Sequence, residues 1–380
     1  MTPTLIALSL LLPYGVMMAQ SGPPDPTAAA RKIVERMALV RGERVLLVGL
    51  PSLSAPLASA LRQAVSAAGG VDLGAVAEGE PLPADWSTEF TRELARRSGD
   101  AIAQHLQSVD VAVMMPGANA DDSVYAAMQR VLQGGKGRTV HFHWAGAYDL
   151  SGRLHSTTPD VARLYQRVLI ETDYSALSEK QSAFETAMRS GVVHVTTPLG
   201  TDVRFRIGER PVTRQDGDAS AARASRAKNL IDREVELPAG AVRVAPLEES
   251  VEGTIAFPPT MWSGVRVEGL VLTFGRGQVT GVRARVGQAA VEQELTAGGA
   301  AAKRFREFAL GLNPLLAIPA SEPRWIPYYG YGAGVVRLSL GDNTELGGTV
   351  TGDYVRWNFF TDATVSVGND VWVRDGRLVR

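Results

Sequence analysis

The first half of the chain alternates between two apolar spacings. Ala29 to Leu39, Ala55 to Ala68 and Ser123 to Leu132 place apolar residues at helical intervals. Between them lie short, continuous apolar runs: Arg44 to Leu50 (RVLLVGL), Val109 to Met115 (VDVAVMM) and Thr139 to Trp144 (TVHFHW). Such runs read as buried strands. Helical crossovers between successive strands make the strands parallel, with helices on both faces. Asp160 to Arg189 reads as mostly helical and leads into a second region.

There the texture changes. Val192 to Val195, Val203 to Ile207, Val242 to Val244, Gly253 to Phe257, Val267 to Phe274 and Val279 to Val286 are short strand candidates separated by Gly, Pro and Asp turns. One helix is expected over Gly299 to Leu310, then strands at Gly334 to Leu340, Thr349 to Val350, Thr364 to Val367 and Val371 to Val373. Asp375-Gly376 signals a tight hairpin turn. The expected architecture is an α/β N-terminal domain over 28–190 and a β-rich α+β C-terminal domain over 191–380.

The opening MTPTLIALSLLLPYGVMMAQSG is apolar from Leu5 to Leu12, and Met17-Met18-Ala19 precedes an expected cut after Ala19. It reads as a signal peptide over 1–19 followed by a linker over 20–27, which implies an exported, periplasmic or secreted chain. The apolar run is too short for a comfortable membrane span, so none is expected in the mature chain.

Composition narrows the chemistry. Hydrophobic residues are 45% and charged residues 21%, as in an ordinary globular chain, and the formal net charge is -1. No basic run offers a footprint for nucleic acid. Cysteine is absent, which excludes disulfides, zinc–thiolate sites and thiol nucleophiles. His141 and His143 alternate on one expected strand and share a face, but no third metal ligand accompanies them in sequence. His105, His155 and His194 are isolated. The aromatic stretch Trp325 to Tyr331 (WIPYYGY) suits either a pocket wall or a packed loop. No G-x-S-x-G and no Gly-rich phosphate fingerprint is present.

Several ordered blocks in the second half carry a resemblance. They are PLGTDVRFRIGER (Pro198 to Arg210), ELPAGAVRVAPLEESVEGTIAF (Glu236 to Phe257), VEGLVLTFGRGQV (Val267 to Val279), REFALGLNP (Arg306 to Pro314), VVRLSLGDNTELGG (Val335 to Gly348), GDYVRWNFF and VWVRDGRLV. In this order they resemble the aminopeptidase T, or thermophilic metalloprotease, family, which includes the AmpS-like leucyl aminopeptidases. The first half joins the resemblance through MALVRGERVLLVG (Met37 to Gly49). The resemblance implies that two-domain fold, a homodimer, and hydrolysis of amino-terminal residues by a water held on two divalent metals, zinc or cobalt. Such a water needs carboxylate and imidazole ligands and a carboxylate base.

Carried over residue by residue, that ligand set is mostly lost. The glutamate of the family's G-E-V falls on Ala241, and the glutamate before its A-L-G-x-N turn is kept as Glu307. The histidine of the H-x-A-L-G strand falls on Arg337, and the H-x-D pair falls on Arg356 and Asn358. The family's tyrosine meets Asn343-Thr344. Arginine stays protonated and repels a dication. One unit charge 4 Å from a dication costs roughly 8 kcal/mol at an effective dielectric near 20.

The expectation is therefore a family homologue without a bound metal or other cofactor. Two-metal peptidase activity would be lost, and the old cavity would bind a peptide or an anionic small molecule or serve structure alone. Glu307, Arg337 and Arg356 are expected to converge there, with Asn358 beside them. Glu307 is the one surviving catalytic candidate, and Arg337, Arg356 and Asn358 are the ligand-binding candidates. The alternative is an active metal-dependent aminopeptidase with relocated ligands, pairing Glu307 with Glu248, Glu249, Asp342 or Asp353. Glu252 belongs to the same acidic turn cluster as Glu248 and Glu249.

Overall fold

The computed structural model describes residues 25–77, 79–142, 147–149, 154–155, 158–318 and 325–380. The leader over 1–19, most of the linker, and His143 lie outside the described residues.

A five-stranded parallel sheet forms the N-terminal half. Its order is Glu234–Glu236, Arg138–His141, Val111–Met114, Arg44–Val48, Val71–Val76. The strands are buried on both faces, which is why they read as unbroken apolar runs rather than alternating ones. Val45 and Leu47 pack on one side under the helices Pro26–Met37 and Pro51–Ala67. Leu46 and Val48 pack on the other, under Asp100–Leu106 and Ser123–Gln133. Asp25 caps the first helix, its carboxylate accepting from the Thr27 and Ala28 amides. Helices Pro159–Glu171 and Tyr174–Ser190 then lead into the second half.

That half holds two antiparallel sheets. One has five strands in the order Val355–Phe360, Val336–Gly341, Phe305–Gly311, Ala241–Val244, Val212–Arg214. The other has eight strands and runs through Val193–Thr196 and Thr364–Val367. It ends in the hairpin whose turn is Asp375-Gly376, both at positive φ, as a two-residue turn of this type requires. Among the described residues no helix is long and apolar enough to cross a membrane.

The structure departs from the sequence reading in several places. Thr349 to Val350 is not a strand, and the strand of that region is Val355–Phe360, paired with Val336–Gly341. Gly299 to Leu310 is not one helix. The helix is Gln288–Ala297, the Gly298-Gly299 pair interrupts it, and only Gly299–Ala302 continues as a short turn. Phe305–Gly311 is a fully buried central strand between Ala241–Val244 and Val336–Gly341. Pairing on both sides overrides the helix-compatible composition of REFAL. Further, Glu234–Glu236 returns from the second half to extend the parallel sheet, pairing with Thr139, Val140 and His141.

Candidate functional site

Strand alternation decides which side chains meet. Paired residues of an antiparallel sheet share a face. Arg243 faces Ala309, Ala309 faces Arg337, and Arg337 faces Phe359. Glu307 faces Ser339, and Ser339 faces Trp357. One face of the five-stranded sheet therefore carries Ala241, Arg243, Glu307, Ala309, Arg337, Ser339, Trp357 and Phe359.

Glu307, 0% exposed, sits at the centre of that face. Its Oε1 accepts from Arg243 Nε at 2.6 Å and from an Arg337 Nη at 2.7 Å, and Arg306 Nε lies 3.7 Å from Oε2. Glu345 joins from a neighbouring turn, 3.2 Å from Arg243 and in contact with Arg306. Burial alone would raise the Glu307 carboxyl, but Arg243, Arg337 and Arg306 outweigh it and hold it well below the usual carboxylate range. Three guanidiniums against two carboxylates leave one positive charge in excess. The Arg337 guanidinium carbon lies 4.6 Å from the Trp357 ring centre, and one of its Nη groups donates to the Tyr329 carbonyl at 3.1 Å. Its Nε has no partner among the described residues, and neither does Trp357 Nε1.

Arg356 and Asn358 do not join this cluster. Their register partners are Leu340 and Leu338, so both point to the opposite face of the sheet. Arg356 pairs with Glu294 at 2.8 Å and lies 3.6 Å from the Trp262 ring centre, and the Asn358 amide donates to the Leu338 carbonyl. The expected meeting of Glu307, Arg337 and Arg356 is thus corrected to Glu307, Arg243, Arg306 and Arg337. With a period of two, one step along a strand moves a side chain to the other face, and Trp357 and Phe359 occupy the cluster's face. Ala241 is buried against Tyr328 and Tyr331, where it fills space. Asn343 holds its own turn, accepting from the Val350 amide and donating to Glu248.

The opposite wall comes from the parallel sheet. Glu234 and Glu236 alternate on one strand and present both carboxylates to one side. His141 lies between them on the adjacent strand, its Nδ1 3.4 Å from Glu236 and its Nε2 3.9 Å from Glu234. Thr139 Oγ1 lies 2.8 Å from Nε2, and the Tyr125 hydroxyl 3.2 Å from Nδ1. The Tyr328 hydroxyl donates to Glu236 at 2.7 Å. Burial pushes the Glu234 carboxyl up to about 7; His141 and the Gln129 amide oppose the rise, and Glu345 and Glu236 add to it. Burial would lower His141, but Glu236 and then Glu234 reverse this and leave it raised.

Between the walls lies a cleft of about 500 Å³. It is lined by Glu234, Glu236 and His141 on one side and by Arg243, Arg337 and Trp357 on the other. Tyr329 and Tyr331 also line it. Tyr328 and Tyr329 both sit at positive φ (36° and 55°), which costs about 1–3 kcal/mol each for such residues and is sustained by the surrounding packing. Gly311 allows this loop its close approach: a Cβ there would lie 2.1 Å from the Gly332 carbonyl oxygen.

Of the other candidates, Glu248 is held by Arg210, Asn343 and the Thr349 amide, and Glu252 accepts from the Arg276 amide. Glu249 is exposed beside Arg276, and the Asp342 carboxylate holds its own turn through Thr344 and Gly352. His105 stacks on Phe90, and His194 pairs with Asp202. Among the described residues, no group of three His, Asp or Glu side chains is arranged to hold a metal ion. The surroundings of Glu307 do not fit a pair of dications, because its neighbours are guanidiniums.

Residues 177–318 match the family described as thermophilic metalloprotease (M29). The matched stretch is about a third of the chain and shows a likeness to that family over that region. Two solved structures share the fold over nearly the whole length. The 2,5-dihydroxypyridine dioxygenase from Pseudomonas putida KT2440 is 16% identical with a TM-score of 0.63, covering 94% of this chain and 98% of that one. Wild-type AmpT from Thermus thermophilus is 15% identical with a TM-score of 0.58, covering 93% and 99%. At that identity the likeness concerns the fold alone. No curated protein matches the chain.

Sequence reasoning missed Arg243, Arg306, Glu234, Glu236 and Glu345. The E-V-E alternation was the available signal for the two carboxylates, and A-V-R at Ala241 to Arg243 placed an arginine on the face of Ala241.

Proposed function

We propose that this M29 homologue binds a small anionic molecule, or the carboxylate end of a peptide, in the cleft between the two sheets, and that arginine chemistry replaces two-metal peptidase chemistry there. The observation that carries this reading is Arg337. It is 2% exposed, lines the cleft, stacks on Trp357 and keeps an unpartnered Nε. A buried guanidinium N–H without an acceptor is costly, and an incoming carboxylate oxygen would satisfy it. The excess positive charge of the cluster favours the same occupant.

Calorimetric titration with small carboxylates tests this. Arg337→Met is expected to abolish anion binding, and Arg337→Lys to recover little of it, because an ammonium lacks the planar fork. Unchanged affinity in Arg337→Met would place the anion elsewhere.

A further inference from the structure

The cleft has two walls of opposite character. Glu234 is 6% exposed and lines it, with Gln129 and His141 as its contacts. Among the described residues no Arg or Lys pairs with Glu234, whereas each carboxylate of the facing cluster has at least two guanidiniums. The walls are within electrostatic reach of each other at Tyr331. Burial raises that phenol, Arg243 and Arg337 oppose the rise, and Glu236 adds to it. A monoanion would satisfy the guanidinium wall and leave Glu234, facing it, with no Arg or Lys partner among the described residues.

We infer that the ligand is amphoteric: its carboxylate meets Arg337 and its ammonium meets Glu234, so the cleft takes a zwitterionic amine–carboxylate of amino-acid size. The inference rests on the anion-binding reading and adds the second charge. Two independent features carry it, the unpartnered Arg337 Nε on one wall and, on the other, the buried Glu234 carboxyl, which among the described residues has His141 but no Arg or Lys beside it. Tyr329 and Trp357, with ring centres 5.4 Å apart and nearly perpendicular, give the cleft an apolar side that suits a flat side chain. Burial, with Glu345 and Glu236 adding and His141 opposing, pushes the Glu234 carboxyl up to about 7, so ammonium binding is expected to strengthen from pH 6 to pH 8.

The test uses three probes of one size: phenylalanine, 3-phenylpropanoate, which lacks the ammonium, and 2-phenylethylamine, which lacks the carboxylate. Each is titrated into the full chain by calorimetry at pH 8. Phenylalanine is expected to bind at least about tenfold more tightly than either relative, the worth of one charge-assisted hydrogen bond. Glu234→Gln is expected to bring phenylalanine down to the affinity of 3-phenylpropanoate while leaving 3-phenylpropanoate unchanged. That retained binding also reports that the variant is folded. Equal affinity for phenylalanine and 3-phenylpropanoate, indifferent to Glu234→Gln, would overturn the ammonium subsite and leave the anion reading standing. Binding of 2-phenylethylamine alone, or of none of the three, would overturn both.

Discussion

At the scale of single residues, two buried glutamates experience opposite fields. Glu307 among arginines is held ionised, whereas burial, with Glu345 and Glu236 adding and His141 opposing, pushes Glu234 up to about 7. The linkage follows with opposite signs. Glu307 binds its proton less readily in the folded state, so its contribution is present above the unfolded carboxylate value and is lost as pH falls through the folded one. Glu234 binds its proton more readily when folded, so stability declines as pH rises from about 4.5 to about 7. Glu234→Gln is expected to flatten that decline and to make the protein more stable than wild type at pH 8, read by urea denaturation across the interval. An unchanged pH slope would show that Glu234 does not titrate there. None of this was legible from the residues alone, because a glutamate's field depends on what folding brings beside it. Arg243 and Glu307 are far apart in sequence and 2.6 Å apart in space.

At the scale of elements, the register of one strand governs the site. The carry-over placed Arg337, Arg356 and Asn358 together; the Val355–Phe360 strand sends Trp357 and Phe359 to the cluster and Arg356 to Glu294. Arg356→Gln is therefore expected to leave anion affinity unchanged while lowering stability by about 1 kcal/mol through the lost ion pair and ring contact. Trp357→Leu is expected to weaken anion binding about fivefold or more by removing the surface on which Arg337 rests. Titration and denaturation of both variants check this, and the reverse pattern would put the site on the other face. The sequence reading carried the adjacent strand, expected at Gly334 to Leu340 and found at Val336–Gly341, but not Val355–Phe360 itself. Its facing was not carried, since motif alignment does not fix which of two alternating sets points inward. The Gly299 to Leu310 segment failed differently: REFAL suits a helix, and the paired strands on either side made it a strand.

At the scale of the whole molecule, the cleft exists because two sheets meet. The parallel sheet was legible as alternating helical and strand periods, and the β-rich half as short runs between turns. The return of Glu234–Glu236 to the parallel sheet was not legible, because a three-residue strand leaves almost no periodic signal. That return brings Glu234, Glu236 and His141 to face Arg243 and Arg337 and gives the cleft its two characters. The fold is shared with AmpT from Thermus thermophilus, and the centre of its five-stranded antiparallel sheet carries three guanidiniums, Arg243, Arg306 and Arg337, around Glu307. The most direct test is elemental analysis of the purified protein after growth with zinc, cobalt and manganese, paired with an aminopeptidase assay with and without chelator. The account predicts far less than one metal per chain and no chelator-sensitive turnover. Two tightly held metals per chain with chelator-sensitive release of amino-terminal residues would contradict it.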